Sequence, residues 1–329
     1  MYKRQIINNG ILNFNYNGII NSIFNNIGSF TLNSGSSLNI HNSNFTNTGI
    51  ITINSNSQFY NWTTYIYNNV GGEINIYGLL AINNGGTITN NDTITSLSNG
   101  IFNIGAYSNF TNNGTVSMNS TSSLNNNGSF TNSMIINGND YSVFENNNTG
   151  TLINNGTVSM NYTSSLNNLG SLTNSMTIDL YDYIAFENSG TFTNNGTVSM
   201  NYNSSLNNIG SLTNSKKINL YDYSAFENSG IIINSGTVIN AGGNINNYNS
   251  FTNNGTVINV SGSVRNTGTF TNTFKLTNDD ILYNYSGGTI TNTGTITNSG
   301  TINSPIIDAG CGIGIINGYS GPLGSVCPP

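Results

Sequence analysis

Residues 150–229 decide the fold, because one unit of 20 residues is repeated there four times: GTLINNGTVSMNYTSSLNNL from Gly150, GSLTNSMTIDLYDYIAFENS from Gly170, GTFTNNGTVSMNYNSSLNNI from Gly190 and GSLTNSKKINLYDYSAFENS from Gly210. Apolar residues occupy positions 3, 9, 11 and 17 of every copy, and Asn occupies position 5. Helical repeats need roughly 30 or more residues per helix pair. A shorter period with apolar residues two apart is typical of one turn of a β-solenoid.

The Asn at position 5 recurs on both sides of these four copies, at spacings of 19 to 22 residues. Stacked amides hydrogen-bond along the stacking axis in cross-β assemblies, and a buried amide needs such partners. The spacing therefore predicts a structural ladder made of Asn90, Asn112, Asn132, Asn154, Asn174, Asn194, Asn214, Asn234, Asn253, Asn272 and Asn292.

The predicted fold is all-β: a right-handed parallel β-helix whose coils of about 20 residues each contain three short strands. Corners rich in Asn, Gly and Ser separate the strands, since these residues tolerate left-handed backbone geometry. Within residues 157–160, side-chain alternation places Val158 and Met160 on one face. The right-handed sense is the default for parallel β crossovers. Three regions are expected: irregular solenoid coils at 1–85, regular repeats at 86–304 and a Pro/Gly/Cys-containing tail at 305–329.

The tail differs in composition from the rest of the chain. All four prolines and both cysteines fall in the last 25 residues. Because proline cannot donate to an interior ladder, its absence from 1–304 favours continuous strand pairing there. We expect residues 305–329 to be a cap, an anchor or an assembly contact. A disulfide between Cys311 and Cys327 is expected in an oxidising location, and two free thiols are the alternative.

Composition and charge restrict the function. The net charge is −6, and the six Lys and Arg residues form no stripe, so a nucleic-acid partner is not expected. No apolar run approaches the roughly 18 residues of a membrane span. The start, MYKRQIINNG, lacks an apolar signal-peptide core. Export by another route, packaging into a particle and a start after processing are the alternatives.

Catalytic and metal-binding chemistry is not expected. The single histidine, His41, has no recognisable carboxylate or serine partners in the sequence. The repeat region carries acids at two positions of every second turn: Asp140, Asp182, Asp222, Glu145, Glu187 and Glu227. Alternation keeps like charges from standing about 5 Å apart on neighbouring turns. Calcium binding is the alternative use of these acids, but no Gly-Gly-x-Gly-x-Asp nonapeptide is present. We therefore predict no enzyme activity, no cofactor and no metal.

Tyrosines concentrate in one corner region of the repeat, at positions 12 to 14 of the unit: Tyr162, Tyr181, Tyr183, Tyr202, Tyr221 and Tyr223. Pointing outward, they would form a stripe able to stack on sugars or to make a lateral contact with a neighbouring molecule. The alternative is an intramolecular stack that only stiffens the corner.

The sequence Asn-Gly-Thr-Val, at 155–158 and again at 195–198, resembles the β-solenoid repeats of filamentous-haemagglutinin-like and autotransporter adhesins. The resemblance covers about residues 86–304. It implies a right-handed β-helix displayed on a surface, and an extracellular, cell or virion surface is expected.

These observations predict a non-enzymatic structural protein that forms or decorates such a surface. The repeats begin within a few residues of the N-terminus without a capping helix, and open strand edges invite pairing with another copy, so head-to-tail self-assembly into a fibre or filament is expected. The alternative is an adhesin that binds surface glycans through the tyrosine-rich corner. A polysaccharide-acting enzyme is a third hypothesis, and so is an ice-binding protein, given the Thr rows in GTITNTGTITNSGTI.

Overall fold

A computed structural model describes residues 5–303 with side chains, and the backbone of residues 307–308, 315–317 and 324–325. This described part is a parallel β-solenoid of about 15 turns with coils of about 20 residues and no helix, which confirms the predicted all-β class. The chain divides into two compact units, Met1–Leu172 and Thr173–Pro329. Cys311, Cys327 and the prolines lie outside the described residues, so the disulfide stays a prediction.

The first unit, Met1–Leu172, contains eight turns, each with three strands, and every strand of the first seven turns pairs in parallel with its equivalent on the next turn. The first strands are Gln5–Asn8, Ile23–Asn26, Asn44–Asn47, Tyr65–Asn68, Thr87–Asn90, Asn109–Asn112, Ser129–Asn132 and Thr151–Asn154. The second strands are Ile11–Phe14, Ser29–Leu32, Ile50–Ile53, Glu73–Ile76, Thr93–Ser96, Thr115–Met118, Ile135–Gly138 and Thr157–Asn161. The third strands are Gly18–Ile20, Ser37–His41, Gln58–Trp62, Leu79–Asn83, Ile101–Ile104, Ser123–Asn126, Val143–Asn146 and Ser165–Asn168.

The second unit, Thr173–Pro329, repeats this plan. Its first strands are Ser171–Asn174, which spans the unit boundary, Thr191–Asn194, Ser211–Asn214, Ile231–Asn234, Ser250–Asn253, Thr269–Asn272, Thr289–Asn292, Ile307–Asp308 and Gly324–Ser325. Its second strands are Thr177–Tyr181, Thr197–Met200, Lys217–Tyr221, Lys275–Asn278, Thr295–Asn298 and Ile315–Asn317. Its third strands are Ala185–Asn188, Ser205–Asn208, Ala225–Asn228, Ile281–Asn284 and Thr301–Asn303. In two turns the second and third strands merge into Thr237–Asn247 and Thr256–Asn266.

The apolar positions of the repeat form the core, because alternate side chains of each short strand point inward. In strand Thr157–Asn161 the inward residues Val158 and Met160 are at most 1% exposed, as predicted. Glycine is required where the corners of successive turns touch. A Cβ added at Gly230 would lie 2.1 Å from the carbonyl oxygen of Gly210 on the preceding turn.

The predicted Asn ladder is confirmed, and it extends back to Asn8. Each Nδ2 donates to the Oδ1 of the next turn at 2.7–2.8 Å. In the first unit the row is Asn8, Asn26, Asn47, Asn68, Asn90, Asn112, Asn132 and Asn154. In the second unit it is Asn174, Asn194, Asn214, Asn234, Asn253, Asn272 and Asn292.

Two further Asn ladders were missed by the sequence prediction. One follows the end of the third strand, with Asn126, Asn146 and Asn168 in the first unit and Asn188, Asn208, Asn228, Asn247, Asn266 and Asn284 in the second. The other follows the second strand of the later turns and contains Asn240, Asn259, Asn278 and Asn298. In the turns of Asn240, Asn259 and Asn278, buried amides therefore line all three corners.

Candidate functional site: the tyrosine corner

The corner between the second and third strands, here called the tyrosine corner, is built from two consecutive residues with positive φ. These pairs include Asp140–Tyr141, Tyr162–Thr163, Asp182–Tyr183, Tyr202–Asn203 and Asp222–Tyr223. For a residue other than glycine, left-handed backbone costs roughly 1–2 kcal/mol, with Asn and Asp the usual exceptions. A tyrosine in such a position therefore destabilises the folded state, and interactions with the surrounding turns must offset this cost.

Backbone hydrogen bonds between turns hold the corner in this geometry. Within the second unit, the amide of Tyr183 donates to the Tyr202 carbonyl at 2.9 Å, and the amide of Tyr223 donates to the Gly242 carbonyl at 2.9 Å. In the first unit, the amide of Tyr141 donates to the Tyr162 carbonyl at 3.2 Å. The corner backbone is thus paired from one turn to the next, and the tyrosine side chains are left to point away from it.

The structure exposes five of the six predicted tyrosines and leaves Tyr221 half-buried. Tyr162, in the first unit, is 59% exposed, whereas Tyr183 and Tyr223, in the second unit, are 63% and 79% exposed. Tyr141 was missed by the sequence prediction, although it follows Asp140 as Tyr183 follows Asp182. It is 66% exposed in the same corner.

The structure brings Tyr181 and Tyr202 together. Their ring centroids are 4.8 Å apart at an interplanar angle of 62°, an edge-to-face arrangement. A hydrogen bond with Tyr202 raises the pKa of Tyr181, and partial desolvation and the nearby negative charges of Asp182 and Asp222 act in the same direction. An internal aromatic contact and exposed rings therefore coexist in this corner.

The third strands of the second unit extend the corner into a polar face. Next to the tyrosines, Ala185, Ser205 and Ala225 form a row of small side chains, in register on successive turns. Beyond them Glu187, Asn207 and Glu227 form a second row. The Oδ1 atom of Asn207 is buried without a hydrogen-bond partner.

The second strands of the same unit present a further polar row on the other side of the corner. Asp179, Ser199 and Asn219 are aligned on successive turns. Burial raises the pKa of the Asp179 carboxyl, although a hydrogen bond with Ser199 opposes this shift. Asn219 is only 5% exposed, and its Oδ1 atom has no hydrogen-bond partner.

Further features of the surface lie in the first unit. A depression of about 500 Å³ at its corners between second and third strands is lined mainly by small polar residues, with Tyr77 and Leu79. His41 stacks on Trp62 with ring centroids 5.9 Å apart. Across the described residues, no cluster of three His, Cys, Asp or Glu side chains is placed to hold a metal ion. The same part of the chain contains no helix long and apolar enough to span a membrane.

Comparison with known proteins identifies the repeats. Residues 145–180, 184–220 and 221–300 match the family described as haemagglutinin repeat. Together with the fold, this shows that residues 145–300 are filamentous-haemagglutinin-like β-solenoid repeats, as the sequence predicted. Proteins with this repeat are typically non-enzymatic, and the repeat implies an extracellular or cell-surface, adhesin-like structural protein. No curated protein and no solved structure matches the chain.

Proposed function

We propose that this protein is a non-enzymatic, adhesin-like component of an extracellular surface, of a cell or a virion, and that it binds glycans through the tyrosine corner. The observation that supports this most directly is the exposure of tyrosine rings on a backbone with positive φ. Glycine or Asn would adopt that backbone more easily. The tyrosines therefore have a role that offsets their conformational cost, and strained positions of this kind cluster at functional sites.

Tyrosine suits sugar binding because its ring offers an apolar face and its hydroxyl offers a polar edge. In the second unit these rings stand beside the row of Ala185, Ser205 and Ala225 and the row of Glu187, Asn207 and Glu227. Small side chains leave space for a bound chain, and the carboxylate oxygens of Glu187 and Glu227 accept hydrogen bonds from sugar hydroxyls. The corner thus combines stacking surfaces with acceptors, as a glycan site requires.

The proposal is tested on a glycan array with the full chain and a variant in which Tyr181, Tyr183, Tyr221 and Tyr223 are replaced by Ser. We expect the wild type to bind a defined group of glycans and the variant to lose them. Tyr248→Ser is the matched control, because Tyr248 is 50% exposed at another corner of the same unit. Binding that survives the fourfold replacement, or no binding by the wild type, would contradict the proposal.

Self-association is the second candidate function, and the first turns favour it. Ile7, Ile11 and Ile19 are 54%, 80% and 66% exposed there. Exposed apolar side chains that cluster on neighbouring strands favour contact with another chain.

The test is sedimentation velocity and negative-stain microscopy over a concentration series. We expect head-to-tail assemblies that lengthen with concentration and are lost in Ile11→Lys/Ile19→Lys, because charged side chains on this apolar surface oppose its burial against another chain. Particles of one size at every concentration would exclude self-assembly and leave the glycan proposal untouched.

A further inference from the structure

The outer face of the second strands in the second unit carries a polar row beside the tyrosine corner. Asp179, Ser199 and Asn219 lie in register, and the next residue in the row is Ile239. Within the second unit the row therefore starts with three consecutive hydrogen-bonding side chains, and two isoleucines separate them from the next hydrogen-bonding residue, Thr277. Three turns cover about 10 Å from the first residue to the third, at about 4.8 Å per turn.

The most informative atom in this row is Oδ1 of Asn219. The side chain is 5% exposed, and this oxygen has no hydrogen-bond partner. A buried acceptor without a donor loses the water it had in the unfolded chain and gains nothing in return. A bound molecule that displaces the side chains covering Asn219 and donates a hydrogen bond to this oxygen would recover that loss.

Tyrosines border the row on its corner side. Tyr181 and Tyr221 are two residues after Asp179 and Asn219 on the same strands, so their side chains leave the same face. Between them stands the smaller Asn201, and the ring of Tyr202 leans onto Tyr181. The row is thus flanked by aromatic rings with a gap at the middle turn.

We propose that Asp179, Ser199 and Asn219 form a subsite for a neutral, hydroxyl-rich sugar residue, with Tyr181 and Tyr221 as its aromatic walls. This inference rests on the proposed glycan-binding function and adds the location of one contact. The three side chains offer acceptors for donor hydroxyls, and the half-buried Asp179 carboxylate accepts them well. A single calcium ion would need its oxygen ligands within about 2.6 Å, which a row spread over three turns does not provide.

The test uses isothermal titration calorimetry of the full chain with cellotetraose, maltotetraose and tetra-N-acetylchitotetraose as neutral probes. At least one probe is expected to bind, and Asn219→Ile is expected to weaken the affinity for that probe at least tenfold. Isoleucine is the residue found on the next turn of the row, so the strand can accommodate it. Ser199→Ala is a smaller change and should weaken the affinity for the same probe about threefold to tenfold. It replaces Asn219→Ile as the test if that variant does not fold.

Thr277→Ile is the matched control, since Thr277 occupies the same row two turns beyond Ile239. It should leave the affinity unchanged. If Asn219→Ile and Ser199→Ala bind like the wild type while the fourfold tyrosine variant does not, the subsite is wrong and the proposed function stands. If no neutral probe binds but the array shows acidic glycans bound, the subsite is again wrong. An array without any binding rejects the proposed function itself.

Discussion

Replacing one amide of the first ladder tests what holds the solenoid together. Asn214 is fully buried, donates to Asn234 Oδ1 at 2.7 Å and to the Thr237 carbonyl at 3.3 Å, and accepts from Asn194 Nδ2 at 2.7 Å. Asn214→Ala removes these bonds and leaves the Asn234 acceptor without its ladder donor. Each lost bond costs about 1 kcal/mol, and each stranded buried group costs about 1–3 kcal/mol. We expect the free energy of unfolding to fall by about 4 kcal/mol.

The measurement is urea unfolding followed by circular dichroism, with the m-value checked for constancy. Thr213→Ala is the control, because Thr213 is the outward neighbour of Asn214 and is half-buried. It should cost less than about 1 kcal/mol, as surface substitutions usually do. In a double-mutant cycle, Asn234→Ala and Asn214→Ala should be non-additive by about 1–3 kcal/mol, since they share a hydrogen bond. The ladder is not a stabilising element if Asn214→Ala lowers the free energy of unfolding no more than Thr213→Ala does and if the effects of Asn214→Ala and Asn234→Ala are additive.

Two further predictions concern corner packing and pH. A Cβ at Gly156 would lie 2.1 Å from the Met134 carbonyl oxygen, whereas one at Gly138 would meet the flexible end of Met160 at 2.5 Å. Overpacking should therefore lower the free energy of unfolding by about 3 kcal/mol in Gly156→Ala and by about 1 kcal/mol in Gly138→Ala. Equal melting temperatures of the two variants would contradict this prediction. Because burial raises the pKa of Asp179 above its unfolded value of about 3.9, this carboxyl favours the folded state most at low pH, and that contribution is lost as pH rises through the folded pKa. Asp179→Asn should therefore raise the melting temperature at pH 7 but not at pH 3, and a difference that is the same at both pH values would contradict it.

The fold could be predicted because the repeat displays its core directly. Leu152, Val158, Met160 and Leu166 stand at the four apolar positions of the first copy, and all are at most 1% exposed. Strand alternation alone fixes which of these residues share a face. The Asn ladder was predictable for a similar reason, since one polar residue held constant among buried positions must be paired with its own kind.

The second ladder was equally visible in the repeat but was missed. Position 19 is Asn in all four copies: Asn168, Asn188, Asn208 and Asn228. The preceding position alternates between Asn and Glu, so positions 18 and 19 together resemble a polar turn on the surface. Only the structure shows that the first residue of the pair faces outward and the second inward.

The candidate site was less predictable, because it depends on backbone conformation and on neighbours. Tyrosine gives no indication of positive φ, so the exposure of Tyr183 and Tyr223 follows from the turn and not from the residue type. Asn219 belongs to an outward position, where an amide is normally solvated. Its burial results from the side chains around it, which no spacing rule describes.

A buried Asn ladder also needs a beginning, and the beginnings follow one rule. Asn126 follows Ile104 in its row, and Asn240 follows Leu220, so neither Oδ1 has an amide on the preceding turn to accept from. Each accepts instead from a backbone N–H just ahead in the chain, Gly128 at 3.2 Å and Gly243 at 2.9 Å. The isolated Asn61 accepts from the Thr64 hydroxyl in the same way. A row can therefore change from apolar to amide wherever a local donor satisfies the first oxygen, because every later amide is satisfied by the one before it. This explains how a chain with 36% hydrophobic residues can exchange core side chains for Asn at a corner without leaving buried polar atoms unpaired along the row.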